Sequence, residues 1–408
     1  MGDVLVAPAA HVEHDQLAAR AALGGRLEPA DRVRRLQRGD DPLQTGQRRE
    51  SIECLGIGHR NVLGTTRILQ VGLGNFGKRH LAAWHQLDYA SNLWIAESDE
   101  RKWAEARRYN FPADRLVRSM EAALDHVDAV DIATPTTSHF DLCRTALLAG
   151  KDVFVEKPMT MTVAESAALA RMVAETRRIL QVGFYYRYHP IAEWLHREIG
   201  SGHLGQVRYI TGNFMGFKRA RTDVGVMHTD GIHFLDLFNW LLGDGPDEVY
   251  AVVRDHFGRG LEDFAVALLT YPAGTVGKVE AGYIQPGRWK DKVVPGAMTT
   301  KDITVVGDKR TVEVDFENEQ VMLHDVHHEL RDGVWAAIVG PATQMQIEPC
   351  DPVQMVAREL RAFLAAIERR QPSGPGPLDA GVRLAGLIEA IYESSRTKAL
   401  VAVRAAAV

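Results

Sequence analysis

The chain is 408 residues long, 46% hydrophobic and 25% charged, with a formal net charge of −5. A chain of this length has room for two cores; its slight acidity and lack of a long Lys/Arg run exclude nucleic acid as the main partner, and no apolar run is long enough for a membrane span. The three cysteines, Cys54, Cys143 and Cys350, lie too far apart for a C-x-x-C metal or redox pair or a disulfide framework, so a cytoplasmic location is expected.

Before Phe76 the chain has no Phe, Tyr, Trp or Lys, although arginine is abundant. A stretch without aromatics has little from which to build a core. Residues 1–66 are therefore expected to be a poorly ordered extension, from a start assigned too far upstream, with the folded protein beginning near Val62. The competing reading is an amphipathic helix over 14–38 that docks on the main body or on a partner.

From residue 67 the pattern alternates strand and helix. "RILQVG" precedes a helical "KRHLAAWHQL", "SNLWIAE" precedes "DERKWAEARRYN", "VDAVDIAT" precedes "SHFDLCRTALLAG", and "DVFVEK" precedes "TVAESAALARMVAETRR". Strands separated by such helices are parallel, because the crossover consumes the helix. The fold class is accordingly α/β, with a nucleotide-binding domain expected over 67–187. Ligands bind such sheets at the carboxyl ends of the strands, where Gly72 to Gly77, Glu97, Thr134, Pro135, Glu156, Lys157 and Pro158 should converge.

Over 188–350 the texture changes. "QVRYITGNFMG", "EVYAVVRDHF", "DFAVALLTY", "VGKVEAGYI" and "DITVVGDKRTVEVDF" predict a large, mainly antiparallel sheet, interrupted by a helical "GIHFLDLFNWLLGD". "HDVHH" at 324–328 tempts a metal assignment, but a polar turn beside a strand is the expectation. Residues 351–408 are expected to hold C-terminal helices, broken by the loop "RRQPSGPGP".

The first loop fits G-x-G-x-x-G. Gly72 permits the tight turn, Gly74 lets backbone amides approach a pyrophosphate across Asn75 and Phe76, and Gly77 lets the helix sit close to the strand. Glu97 ends the second strand where a carboxylate accepts both adenosine ribose hydroxyls and repels a 2′-phosphate, favouring NAD over NADP. An exposed strand-end acid is the bland reading of Glu97, and Ser98 leaves room for NADP. Lys157, at the end of a buried strand, is a donor to a substrate hydroxyl, with an ion pair to Glu156 as the alternative. His228, Asp230, His233 and Asp236 fall within nine residues. His233 has the chemistry of a base for an alcohol proton, with Asp230 or Asp236 orienting its ring; a satisfied interfacial histidine and a His228–Asp230–His233 metal site are the alternatives. No metal is expected.

Taken together, G-x-G-x-x-G at 72–77, "ATPTTSH" at 133–139, "EKP" at 156–158, "VGFYYRYHP" at 182–190 and "GIHFLDL" at 231–237 resemble the ordered signature of the Gfo/Idh/MocA oxidoreductases. The resemblance runs from about 67 to 400. It implies an N-terminal Rossmann parallel sheet, a C-terminal α/β domain whose large open sheet serves oligomer contacts, and hydride transfer at a sugar or cyclitol carbon. By position it makes Lys157 the active-site lysine and His233 the proton-transfer histidine, with Pro135, His139 and Pro158 lining the cofactor cleft. The chain departs from the family at Thr229, where an aspartate is usual; Asp230 follows one position later.

The sequence thus predicts an NAD-dependent dehydrogenase, assembled as a homodimer or homotetramer, acting on a small carbohydrate, cyclitol or sugar nucleotide, with Tyr186, Arg187 and Asp236 on the substrate side. "RARTDVGVMHTDGIH" and "EAGYIQPGRW" resemble segments of the nucleotide-sugar 3-dehydrogenase branch, which implies that Arg219, Arg221, Arg288 and Lys290 meet a phosphate or UDP group, arginine forks suiting phosphate oxygens; solvated loop arginines are the alternative. A reductase of a non-sugar carbonyl or imine, and a non-catalytic NAD-binding sensor, are the rival readings.

Overall fold

Six short strands that are buried on both faces open the folded part of the chain. The computed structural model describes residues 50–52, 64–371 and 377–403; the helix considered over 14–38 lies outside them. The strands are β2 (Ile68–Val71), β3 (Leu93–Ala96), β4 (Leu116–Val117), β5 (Ala129–Ile132), β6 (Asp152–Glu156) and β7 (Leu180–Gly183). They pair in parallel throughout, in the order β4-β3-β2-β5-β6-β7. The chain runs outward in one direction from β2 and then in the other from β5, so a crevice opens between these two strands at their carboxyl ends.

The crossovers are α1 (Gly77–Gln86), α2 (Trp103–Arg107), α3 (His139–Leu148) and α4 (Val163–Thr176). The expected long helix in "DERKWAEARRYN" shrinks to a 3-10 turn, Glu100–Lys102, and the five residues of α2. Its side chains are engaged locally instead: the Trp103 indole donates to the Glu97 carbonyl at 2.9 Å, and Tyr109 stacks on His85 with ring centroids 4.2 Å apart. Helix α4 starts at a capping box in which Thr162 and Glu165 satisfy each other's backbone amides.

The second sheet has eleven strands among the described residues. Its path is β1 (Glu50–Ile52), β16 (Val334–Ile347), β15 (Gln320–Arg331), β14 (Thr311–Asp315), β13 (Met298–Gly307), β8 (Val207–Phe217), β11 (Val276–Gly282), β10 (Phe264–Thr270), β9 (Glu248–Arg254) and β17 (Val401–Ala402), with β12 (Trp289–Lys290) on β13. It is mainly antiparallel, as expected, with parallel pairs at β8–β11 and β1–β16. Two expectations are corrected. "HDVHH" is not a turn: residues 324–328 lie inside β15, which pairs with β14 and β16, and the turn falls at Asp332-Gly333, where both residues have positive φ. Part of the presumed extension is also built in, because Glu50–Ile52 adds a parallel strand to Met345–Ile347 of β16.

Helix α5 (Pro190–Gly200) leads into β8, and α6 (Ile232–Leu242) packs behind that strand. Gly212 of β8 makes this approach possible, since a Cβ there would meet the Phe234 ring at 2.7 Å. The C-terminal helices α7 (Pro352–Arg369) and α8 (Pro377–Thr397) return to the first sheet: α7 packs on α1, and α8 on α4 and on β9. Ser394 and Ser395 of α8 accept the Ala251 and Val253 amides of β9 at 2.9 Å each, so one helix touches both sheets.

The turn from β2 to α1 is held from within. Gly72 has φ +101°, and the buried Gln70 amide donates to the carbonyls of Gly72 at 3.0 Å and Gly77 at 2.8 Å. A Cβ on Gly77 would lie 2.3 Å from the Gly72 carbonyl oxygen. Gly77→Ala is therefore expected to destabilise the protein by about 1–3 kcal/mol, the usual cost of forcing one extra carbon into packed backbone; denaturant unfolding of the two forms measures it.

Candidate active site

Gly74 is the informative glycine of the loop. A Cβ added there meets nothing within 4 Å, so the protein's own packing does not demand glycine. Backbone left bare at the start of a helix, where amides and the dipole point outward, fits the close approach of a pyrophosphate. Asn75 is exposed beside it and Phe76 half-buried, its ring 5.6 Å from His80 and 5.5 Å from Tyr185.

Glu97 stands at the end of β3 but is buried. One carboxylate oxygen accepts the Leu73 amide at 2.8 Å and the other the Asp99 amide at 3.0 Å, with Lys102 Nζ 3.3 Å from both. The acid therefore ties the glycine turn to the neighbouring strand end. Across the crevice, His139 sits between the Pro158 carbonyl, 2.8 Å from Nδ1, and the Thr134 carbonyl, 3.0 Å from Nε2. Burial lowers its pKa, and the ring staples the loop after β5 to the segment after β6. Pro135 leads the short turn Thr136–Ser138 into α3, and Thr134 Oγ1 lies 2.8 Å from Ser138 Oγ.

Lys157 follows β6 and precedes a cis peptide bond to Pro158. Its Nζ donates to the Thr229 carbonyl at 2.6 Å. Burial lowers its pKa to about 8; Glu156 and Asp230 oppose the shift, and Arg221 and Lys218 add to it. His233, in the first turn of α6, is packed among the rings of Tyr186 at 5.0 Å, Tyr185 at 5.2 Å and Phe214 at 5.8 Å. Burial holds its pKa well below the ordinary histidine value, with repulsion from Lys157, Lys301 and Lys218 in the same direction. A neutral imidazole able to accept a proton thus shares the site with a lysine poised near neutrality.

The expected orienting acids are differently employed. Asp230 pairs with Lys218 at 2.8 Å, and Asp236 forms a two-pronged ion pair with Arg187 at 2.8 and 2.5 Å, buried on both sides. Neither is hydrogen-bonded to His233 among the described residues, and Arg187 and Asp236 satisfy each other rather than face an open substrate space. Tyr186 remains beside the histidine. Thr229, where the family usually has aspartate, hydrogen-bonds the Tyr283 hydroxyl at 2.6 Å through Oγ1. His228 meets Tyr392 at 3.0 Å, and Tyr392 donates to Glu262 at 2.6 Å. With His228, Asp230 and His233 drawn to different partners, the described residues contain no cluster of three metal-ligating side chains.

Of the four basic residues suggested for a phosphate, only Arg221 lies within electrostatic reach of Lys157 and Asp230, while it pairs with Asp223. Arg219 is exposed, and Arg288 pairs with Asp302 and Lys290 belongs to β12, both on the open sheet. Sequence reasoning missed Lys218, Tyr283 and Phe214. They lie on separate strands or just beyond, and only the sheet's register brings them to residues 229–233.

Comparison with known proteins agrees with this geometry. The profile "Oxidoreductase family, NAD-binding Rossmann fold" matches residues 66–184, and "GFO/IDH/MocA C-terminal domain" matches 193–313. The UDP-N-acetylglucosamine 3-dehydrogenase of Acidithiobacillus ferrooxidans is 33% identical over 244 residues, 55% of this chain and 73% of that one. The D-apiose dehydrogenase of Paraburkholderia graminis is 26% identical over 340 residues, 80% of this chain and 86% of the relative. Among solved structures, the former enzyme superposes with a TM-score of 0.65 at 25% identity, covering 81% of this chain and 98% of that one. Levoglucosan dehydrogenase in complex with NADH gives 0.71 at 20% identity, covering 84% and 100%, a likeness of fold. With both halves matched in order and the crevice residues in place, the chain belongs to the Gfo/Idh/MocA family of NAD-binding oxidoreductases.

Proposed function

We propose that this protein is an NAD-dependent dehydrogenase that oxidises a secondary alcohol of a sugar, cyclitol or sugar nucleotide, or reduces the matching ketone. The observation that carries the reading is a half-buried, pKa-lowered Lys157 just past the carboxyl end of a parallel strand, within electrostatic reach of a buried neutral His233. Relatives that act as UDP-N-acetylglucosamine 3-dehydrogenase and inositol 2-dehydrogenase support the substrate class.

Gly72 to Gly77 would hold the NAD pyrophosphate and Glu97 its adenosine ribose, while Thr134, Pro135, His139, Glu156 and Pro158 line the nicotinamide side. When bound, NAD supplies the hydride acceptor. Lys157 Nζ donates to the substrate hydroxyl and orients it. A ring nitrogen of His233 takes the hydroxyl proton, and the surrounding Tyr185, Tyr186 and Phe214 rings keep water from competing. Asp230 acts through Lys218 in shaping the charge of the site, and Tyr186 bounds the substrate. The reading includes the division into 67–187, 188–350 and 351–408, a cytoplasmic location, and a homodimer or homotetramer formed on the outer face of the open sheet. Phe217, Tyr250, Leu268 and Met298 are exposed on its strands.

Absorbance at the reduced-nicotinamide band, with NAD and then NADP offered alongside inositols, aldoses, sugar phosphates and UDP-sugars, tests the whole. Reduction with one class supports it; silence across the panel with NAD bound overturns it. Lys157→Ala and His233→Asn are each expected to lower kcat about 100-fold or more without loss of NAD affinity, as befits groups acting on a proton in flight. Since the Lys157 ammonium is the donor, oxidation should fall as pH rises through about 8, the point to which burial lowers its pKa. Lys157→Arg, slower at every pH, should lack that limb because guanidinium stays charged. Glu97→Gln should cut the NAD-over-NADP ratio of kcat/KM about tenfold, the removed charge no longer repelling a 2′-phosphate.

A further inference from the structure

A histidine buried beneath this site has no part in the steps above. His80, in the first turns of α1, is fully buried. Its Nδ1 lies 2.9 and 3.0 Å from the two Asp131 carboxylate oxygens on β5, and its Nε2 lies 3.1 Å from Glu156 Oε1 at the end of β6. Trp84, one turn further along α1, donates its indole N–H to Asp131 at 2.9 Å. The ring is wedged by Phe76 at 5.6 Å and Phe154 at 5.7 Å. Asp131 is fully buried and Glu156 nearly so.

A neutral imidazole carries one N–H, yet both ring nitrogens here face carboxylate oxygens. The imidazolium supplies two donors, one for each acid. A cation between two acids on adjacent strands is also what the absence of solvent demands, because an unanswered buried carboxylate is costly. The pKa of His80 agrees, raised to about 10; burial opposes the charge, and Asp131 and Glu156 more than offset it. Glu156 is in turn the residue before Lys157 and heads the influences that favour the Lys157 ammonium.

We propose that His80 is a positioning residue for Lys157: clamped between Asp131 and Glu156, it fixes the Glu156 carboxylate at the strand end that leads directly into the active-site lysine. The chain Asp131–His80–Glu156–Lys157 alternates in sign and runs from the centre of the parallel sheet to the reacting alcohol. It also begins on the helix that the glycine loop opens. The inference rests on the reading of Lys157 as the group that contacts substrate.

Other charges bear on both ends. Glu359 on α7 lies near the cluster, its pKa raised well above the carboxylate range by burial and by Glu156. Lys157 is further influenced by Asp230, Arg221 and Lys218, and itself lowers His228 and His233. Removing the His80 charge takes away the cation between Asp131 and Glu156 and leaves only the Lys157 ammonium near Glu156, and two neighbouring buried carboxylates then favour sharing a proton. Glu156 then no longer supports the ammonium, so Lys157 titrates at lower pH.

The test reads side chains directly and needs no turnover, so it stands apart from the dehydrogenase assay. In protein labelled with 15N-histidine, both His80 ring nitrogens are expected to carry protons at about pH 8.5, some two units above free imidazole. In 15N-lysine-labelled His80→Gln protein, the ratio of Lys157 amine to ammonium at a given pH should rise about tenfold, one pKa unit. Glu156→Gln should give the same shift, and the double variant no more, as coupled residues require. A purely packing role would lower stability and leave the lysine titration unmoved. A singly protonated His80 ring in the unaltered protein overturns the proposal, as does an unshifted Lys157 in folded His80→Gln. Should His80→Gln fail to fold, Glu156→Gln decides alone: an unshifted lysine there overturns the proposal equally.

Discussion

Carboxylates cannot be left alone at the floor of a parallel sheet. β5 and β6 lie side by side, buried on both faces, and each carries an acid: Asp131 within β5 and Glu156 at the end of β6. The rest of the site depends on how that charge is answered. His80 answers it from α1 with one N–H toward each strand, and Trp84 adds a third donor. The helix that begins at the glycine turn is thereby pinned to the strands that carry the functional groups. The position of the loop and the position of Lys157 are set by one buried cluster.

Burial then does the chemical tuning. His233 is buried and Lys157 half-buried, and desolvation disfavours the charged form of each. The lysine, with Glu156 and Asp230 nearby, comes to rest near pH 8, whereas the histidine, facing three lysines, is held neutral. One desolvated pocket therefore sets a cationic hydrogen-bond donor beside a neutral proton acceptor, the pairing that the proposed proton transfer from an alcohol uses. Several other acids around the site are paired: Arg187 takes Asp236, Lys218 takes Asp230, and Lys301 lies between Asp291 and Glu317.

The open sheet supplies the opposite wall. Gly212 admits Phe234, which fixes α6 against β8 and carries His233 toward the Rossmann sheet. Helices α7 and α8 then tie both sheets together, so the crevice is framed by parts of the chain more than 300 residues apart, from Gly77 to Ser394. The long β15–β16 hairpin lies at the far side of the sheet from β8, beyond β14 and β13.

The alternation of strand and helix, the three glycines of the loop, the placing of Glu97 and Lys157 at strand ends and that of His233 at the start of a helix could all be read from the chain, because they follow from local periodicity and from groups adjacent in sequence. The hairpin of β15 and β16 could not: polar "HDVHH" carries no strand signal until β14 and β16 flank it. Nor could the partners of the acids be read. Asp230 and Asp236 sit within a turn of His233, and nearness in sequence suggested that they orient it; the fold instead brought Lys218 from beyond β8 and Arg187 from beyond β7. Sequence determined which chemistry was available and on which elements it stood. Tertiary structure decided which charges meet, because buried ion pairs form between residues that packing brings together across 12 positions for Lys218–Asp230 and 49 for Arg187–Asp236, and no local pattern records that distance.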